Sequence, residues 1–448
     1  MTGATLAVAM LSAVLALSRR QAGAALGVIV LSMLLWPEYL RIPFGPVQMS
    51  VPRFVALLLL IKLMAQGRLR SIRFGKVDVL VILIWVWTVL ATFAAGAEFS
   101  QVSQMIGRGL DTVLVYFVAR MALTSPEDAK SLYWGLALTA LAMCAAGVYE
   151  ALTWNSPYHR FSTAAALRAD GYEEIRYGML RAQASTTVSI YFGLAMMLVT
   201  GLLWSIRGYA ERAFAFRLSI LAAFAATLSS LSSGPWLAMF MLIGMNLFYR
   251  RPSMVKPLVY ALIILAIALE IASNRHFYNL IDYLALDKHT AWYRTRLLEV
   301  AFSRWSDYWL FGVGSNWPHH WGAMVDGRLF VDVVNNFLII ALYGGLPAMF
   351  MYVAAHVVAI RRTVRAFRAD PADIPRRKLL FGLAAALVAL DVSSMSVGLY
   401  GPALLLSHLL LGFIVSAATA WPAREAVPNR DDEYAMGARI ATQPRAYA

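Results

Sequence analysis

Apolar residues run through this chain in long blocks separated by short polar punctuation, at roughly 4–17, 22–38, 51–66, 78–96, 103–122, 131–152, 188–206, 214–231, 234–249, 256–273, 333–360, 379–398 and 402–420. A helix needs about 20 mostly apolar residues to cross the hydrocarbon of a bilayer. Most of the blocks approach that length, and their continuity excludes barrel strands, which alternate in character over about 10 residues. Backbone amides in lipid must be satisfied within their own segment, so each block is expected to be a helix. The pattern therefore predicts an all-α polytopic membrane protein, a bundle of about 12 to 14 transmembrane helices. The first block lacks a basic leading region and is followed by Arg19-Arg20 and a second apolar run. It reads as a retained helix, not a cleaved signal peptide.

The punctuation is asymmetric. Arg and Lys cluster at Arg19-Arg20, Arg68 to Lys76, Arg207 to Arg217, Arg250-Arg251 with Lys256, and Arg361 to Lys378. These are alternate connections, and the positive-inside rule makes them cytoplasmic. Two connections on the opposite side are long, Thr153 to Thr187 and Asn274 to Asp332, and are expected to be outer loops carrying short amphipathic helices. Composition agrees: 60% hydrophobic and 14% charged over 448 residues, against roughly half apolar and a quarter charged for soluble domains. The net charge of +14 follows from the cytoplasmic loops, so it reports topology and not nucleic-acid binding. A helical bundle forms one cooperative body, which gives a single integral membrane domain over residues 1–422. The mixed-charge stretch 423–448 has no apolar period and is expected to be a disordered cytoplasmic tail. Cys144, the one cysteine, lies in an apolar block, leaving neither a disulfide framework nor a thiolate metal site.

Loops longer than about 12 to 15 residues without regular structure are commonly functional, and the second long loop contains "WLFGVGSNWPHHWG", Trp309 to Gly322. Gly312 and Gly314 permit a sharp exit from the preceding helix. The tryptophans, Trp317 among them, present ring faces on which a ligand can stack, and His319 and His320 face outward. An interfacial aromatic belt is the other role open to Trp305, Trp309 and Trp321. Adjacent histidines suggest a metal, but a tetrahedral site needs three or four ligands and neighbouring side chains rarely share one ion. No metal or other cofactor is expected. Upstream, "WYRTRLLEVAFSRW" places Tyr293, Leu297, Ala301 and Trp305 on one helical stripe, as in an amphipathic helix lying over the membrane face. This helix carries Arg294, and Arg181 stands just before the block at 188. A guanidinium stays charged and forks onto phosphate oxygens. Two that converge could hold a diphosphate, whereas lipid headgroups or Glu173, Glu174 and Glu299 account for either one alone.

The stretch "YRTRLLEVAFSRWSDYWLFGVGSNW" followed by "VDVVNNFLIIALYGGLPAMF" resembles the signature region of the O-antigen ligases and O-antigen polymerases. "LRAQASTTVSIYFG" and "LSSLSSGPWLAMF" are similar to two further pieces of that family, and together the matches cover about residues 175–360. The resemblance implies a GT-C type glycosyltransferase of the bacterial inner membrane, with the two long outer loops periplasmic and polymerase favoured over ligase. Such an enzyme moves glycan from an undecaprenyl-pyrophosphate-linked oligosaccharide to a hydroxyl of an acceptor glycan on the periplasmic face. The displacement is metal-independent and inverting, and a chain-length regulator and a flippase are candidate partners. The resemblance puts Arg181 and Arg294 on the donor diphosphate, makes Asn335 the asparagine of the helix-opening motif and a substrate contact, and makes the segment from Trp309 to Gly322 an acceptor-side lid whose tryptophans stack on sugar rings. The ligases carry a histidine just before that asparagine. Here the position is Val334, which accepts no proton, so Asp332, His319 and His320 are the candidate bases in its place.

Several charged groups interrupt the blocks: Asp391, Glu270, Glu150, and the pair Arg108 and Asp111. Such groups are expensive in hydrocarbon. The spacing of Arg108 and Asp111 lets them neutralise one another on one helix face. His356 and His408 are expected to be hydrogen-bonded core residues. Two other functions fit this sequence, a flippase or transporter of lipid-linked oligosaccharide and a noncatalytic subunit of an exopolysaccharide assembly machine. Transporters build substrate sites from paired broken helices, and no such pair is legible in the blocks.

Overall fold

The computed structural model describes residues 2–45, 47–161, 175–254, 288–314, 319–325, 331–419 and 421, with isolated positions between 256 and 268 and at 327. The described chain is helical almost throughout. Its helices are α1 Thr2–Ser18, α2 Ala22–Leu35, α3 Val51–Ala65, α4 Lys76–Ala94, α5 Phe99–Asp111, α6 Val113–Ala122, α7 Pro126–Thr153, α8 Ser189–Ser205, α9 Ala213–Ser229, α10 Ser233–Leu247, α11 Lys288–Ser303, α12 His319–Val325, α13 Asn336–Ala369, α14 Ile374–Ser394 and α15 Gly401–Thr419. Two small antiparallel hairpins interrupt them, β1 Ile42–Phe44 with β2 Val47–Met49, and β3 Ile175–Arg176 with β4 Met179–Leu180. Most of the block at 256–273, including Glu270, lies outside the described residues, as do Glu173, Glu174 and the tail 423–448. Among the described residues, five helices are long and apolar enough to cross a membrane: α4, α7, α8 with its extension to Tyr209, α13 and α15.

Local signals set the boundaries. Ser125 accepts from the Asp128 amide and Pro126 opens α7, while Asp373 caps α14 from the Arg376 amide. One continuous apolar core runs from Ala9 to Trp421, with α8 and α15 buried along most of their length at its centre. The basic connections meet at one end of the bundle. There Lys62 donates to the carbonyls of Leu17 and Arg19, Arg68 pairs with Asp128, and Arg207 reaches the Lys378 carbonyl. The same end holds a buried cluster in which Arg120 and the Tyr116 hydroxyl both donate to Asp78.

Two blocks are interrupted within their length. The run 103–122 is two helices that meet in a kink at Thr112, φ −105° and ψ −71°, across which the Thr112 amide still donates to the Arg108 carbonyl and the Tyr116 amide to the Thr112 carbonyl. In α5 the residues Ser100, Ser103, Gln104, Gly107, Arg108 and Asp111 recur at spacings of three and four, so one face is polar, whereas α6 is apolar. The hydrophobic average over the block hides that change of period. The second interruption is in α13, which has 34 residues and a length of roughly 50 Å at the helical rise, well beyond the ~30 Å of hydrocarbon. It breaks at Gly344 and Gly345, the latter at φ 71° and ψ 178°, a conformation open in practice to glycine alone.

A break inside a helix leaves backbone groups that need partners. The Val313 amide donates to the Leu342 carbonyl and the Leu346 amide to the Trp309 carbonyl, both at 2.8 Å, and the Trp87 indole donates to the Gly344 carbonyl at 2.7 Å. Gly312 and Gly314 do take left-handed φ values, and the turn they make seats "WLFGVG" against the broken helix. Residues 309–314 are thus a brace for α13, which corrects the expectation of a lid for this half of the segment. The stripe on α11 holds for Tyr293, Leu297 and Ala301, which pack with Trp321, Val325 and Leu338 in a second small core. It fails at Trp305, which lies past the end of the helix and is exposed. Trp321 is fully buried with its ring 5.9 Å from that of Tyr308, so it is core and not belt.

Candidate functional site

At the end opposite the basic connections a cavity of about 1080 Å³ opens among α2, α3, α5, α8 and α15. Its construction begins where α2 stops, at Leu35, just ahead of Pro37. The block at 22–38 therefore ends short of expectation, and Glu38 belongs to the connection outside the span. From Glu38 the chain passes through Arg41 and the β1–β2 hairpin into α3, whose first turn carries Arg53. The polar face of α5 forms the opposite wall, and Thr187, Tyr191, Asp332, Tyr343 and Tyr400 contribute to the lining.

Arg53 donates to both carboxylate oxygens of Asp111, Nε to Oδ1 at 2.7 Å and Nη2 to Oδ2 at 2.5 Å, and its third nitrogen reaches the Gln48 carbonyl. Asp111 is therefore neutralised across the cavity by α3, not by Arg108 on its own helix. Arg108 sits over two rings, 4.7 Å from the centroid of Tyr343 and 5.8 Å from that of Tyr400. Among the described residues its guanidinium makes no hydrogen bond to protein, and it lines the cavity. A cation over ring faces is stabilised by the ring quadrupole while its N–H edge stays open to a ligand.

Glu38 is the second unusual group. Burial raises its carboxyl from 4.5 to about 7, against the lowering influence of Arg41 and of the Thr187 hydroxyl, which donates to Oε1 at 3.3 Å. The neighbouring Asp111 adds to the rise. A carboxyl that titrates near neutrality in a large cavity beside guanidinium groups is a candidate acid or base on physical grounds.

Of the residues nominated in the sequence as a base or a substrate contact, Asp332 lines this cavity, with the charged pair Arg108 and Asp111. Asp332 is exposed, and its backbone carbonyl accepts from the Tyr293 hydroxyl at 3.0 Å, which ties the wall to α11. Arg181 and Arg294 are both buried but are not among the residues lining the cavity. Arg181 donates to Ser232 Oγ at 2.8 Å, where α10 begins, and its loop is fastened to the α9–α10 corner by Ala182 to Ser229 and Arg176 to Leu231. Glu150 completes that fastening by accepting from the Ala184 amide at 2.7 Å. Arg294 lies on α11 between Tyr293 and Leu297, which face the second core. Asn335 caps α13, accepting from the Leu338 amide while donating to the Met395 carbonyl, so its side chain is committed to the backbone. His319 and His320 open α12, but their side chains lie outside the described residues, as does Trp317 entirely.

Asp391 pairs with His356 Nδ1 at 2.6 Å, and His408 Nδ1 lies 3.0 Å from the Leu404 carbonyl, as expected for bonded core histidines. Both histidines line a smaller chamber beneath Arg108. Among the described residues no group of three His, Cys, Asp or Glu is placed to hold a metal ion. The cluster of Glu38, Arg41 and Arg53 was not legible as a site. Its one signal is a charged, proline-flanked connection between two apolar blocks, which by composition alone looks like an ordinary loop. No family model matches the chain, and no curated protein matches it.

Proposed function

We propose that the protein is a polysaccharide polymerase or ligase of the bacterial inner membrane, polymerase favoured. In this reading it transfers glycan from an undecaprenyl-pyrophosphate-linked donor to an acceptor sugar hydroxyl at the periplasmic end of a GT-C type bundle. The observation that carries the reading is Arg108, a permanent cation in the last turn of a half-helix, held over two rings at the wall of the large cavity. A charge within the bundle is costly unless an anion or water meets it, and a guanidinium grips phosphate oxygens in pairs. The cavity is comparable in size to sites that take sizeable ligands, typically about 300–1,000 Å³, so a diphosphate with its first sugars fits its scale. Arg108 would hold the leaving diphosphate and offset the charge that develops on it. Arg41 extends that positive field toward the mouth.

The test replaces the chromosomal copy with Arg108→Ala. Polymer should be lost and undecaprenyl-linked oligosaccharide should accumulate. Full-length polymer from a variant present at normal membrane levels would remove the reading.

A second reading, a flippase of lipid-linked oligosaccharide, is favoured by the two discontinuities. The kink after α5 and the break in α13 come together where Arg108 covers Tyr343, and helices interrupted near a shared site are a transporter device. A flippase predicts that deletion traps the lipid-linked unit on the cytoplasmic leaflet. The transferase predicts that it accumulates on the outer one.

A further inference from the structure

Resting on the transferase reading, we propose that Glu38 is the general base that takes the proton of the acceptor hydroxyl. Three carboxylates line the cavity. Asp111 has both oxygens committed to Arg53. Asp332 is exposed at the rim, where water competes for it. Glu38 stands inside, with Thr187 on Oε1 and no ion pair among the described residues. Its other oxygen, Oε2, lies against Gly401, the first residue of α15. Gly401 has φ +51°, and a methyl group there would overlap the carboxylate, so the absence of a side chain is what gives Glu38 its place. The titratable and charged groups facing Glu38 are Arg41 from its own connection, Arg53 from α3, Asp111 from α5, Tyr191 from α8 and the adjacent Tyr39.

The step balances without a further reactant. The acceptor O–H bond breaks and its proton passes to Glu38 Oε2 as the oxygen attacks the anomeric carbon of the donor sugar. The bond from that carbon to the diphosphate oxygen breaks, and its electron pair leaves with the diphosphate beside Arg108. Glu38 then releases the proton to water through the open mouth of the cavity. This role supplies the proton acceptor that Val334 cannot.

The experiment compares strains carrying Glu38→Gln, Glu38→Asp or a deletion, with membrane levels of the protein, polymer and undecaprenyl-linked oligosaccharide all quantified. Glu38→Gln should reach the membrane, lower polymer about 100-fold or more, and accumulate the lipid-linked donor. In proteoliposomes given lipid-linked oligosaccharide extracted from the deletion strain, the wild-type rate should climb with pH through neutrality, and Glu38→Asp should be slower with a displaced midpoint. Normal polymer from Glu38→Gln overturns the base assignment. If that variant fails to reach the membrane, an unchanged midpoint in Glu38→Asp overturns it instead. A deletion that alters neither polymer nor lipid-linked oligosaccharide overturns the transferase reading, a result distinct from both.

Discussion

Replacing Glu38 by Gln should stabilise the protein at alkaline pH and leave it unchanged at acid pH. Burial raises this carboxyl from 4.5 to about 7, so the folded protein holds a proton that the unfolded chain releases. The stability this group contributes is complete below pH 4.5, declines as pH rises, and is lost once pH passes about 7. At about 1.4 kcal/mol per pK unit, the full loss is at most ~3 kcal/mol, and water in the cavity reduces it. Glutamine mimics the protonated form at every pH, so the two proteins should differ only where wild type is ionised. Thermal unfolding in detergent, followed by intrinsic tryptophan fluorescence, gives the comparison directly. The melting temperatures should coincide near pH 4.5 and separate by pH 8, with the variant higher by on the order of 2–6 °C. A gap of the same size at both pH values would refute the raised carboxyl and the reasoning from burial behind it.

Other consequences are equally direct. Asp78 and Arg120 are both essentially buried, so Asp78→Asn should cost about 3–5 kcal/mol by stranding the guanidinium, whereas Asp78→Leu with Arg120→Met should recover most of the loss in the same melting assay. Gly345→Ala forces a left-handed backbone and a clash with Leu310, and should destabilise the protein by about 1–3 kcal/mol or more, read as earlier proteolysis of the 288–335 region. Arg181→Ala and Arg294→Ala should each diminish polymer if the donor diphosphate reaches the loops, with lipid-linked oligosaccharide quantified alongside. Chelator treatment should leave transfer in proteoliposomes unchanged, and a loss restored by a divalent ion would point instead to a metal-assisted step.

Most of the architecture was legible because hydrophobic length is a strong signal: α1, α3, α8, α9 and α15 begin and end within a few residues of their blocks. The site was harder to see. Asp332, nominated because Val334 stands where the ligases carry a histidine, does line the cavity, but Glu38 and Arg53 acquire meaning only when α2, α3 and α5 converge, and one chain's linear order does not encode that meeting. The partner of Asp111 illustrates the limit. Helical spacing nominated Arg108, yet the carboxylate faces α3, and a residue distant in sequence supplied a two-point pair that a neighbour on the same helix does not. Asn335 misled in the opposite sense, since its prominence reflects the capping of α13.

The brace at 309–314 also dictates an order of manufacture. It leaves the ribosome before the helix it completes, so its amides at Val313 and carbonyl at Trp309 must wait for Leu342 and Leu346 to be synthesised and threaded. Reporter fusions truncated between residues 315 and 335 separate these complementary halves, and any topology map built from them will describe a chain that has not finished assembling.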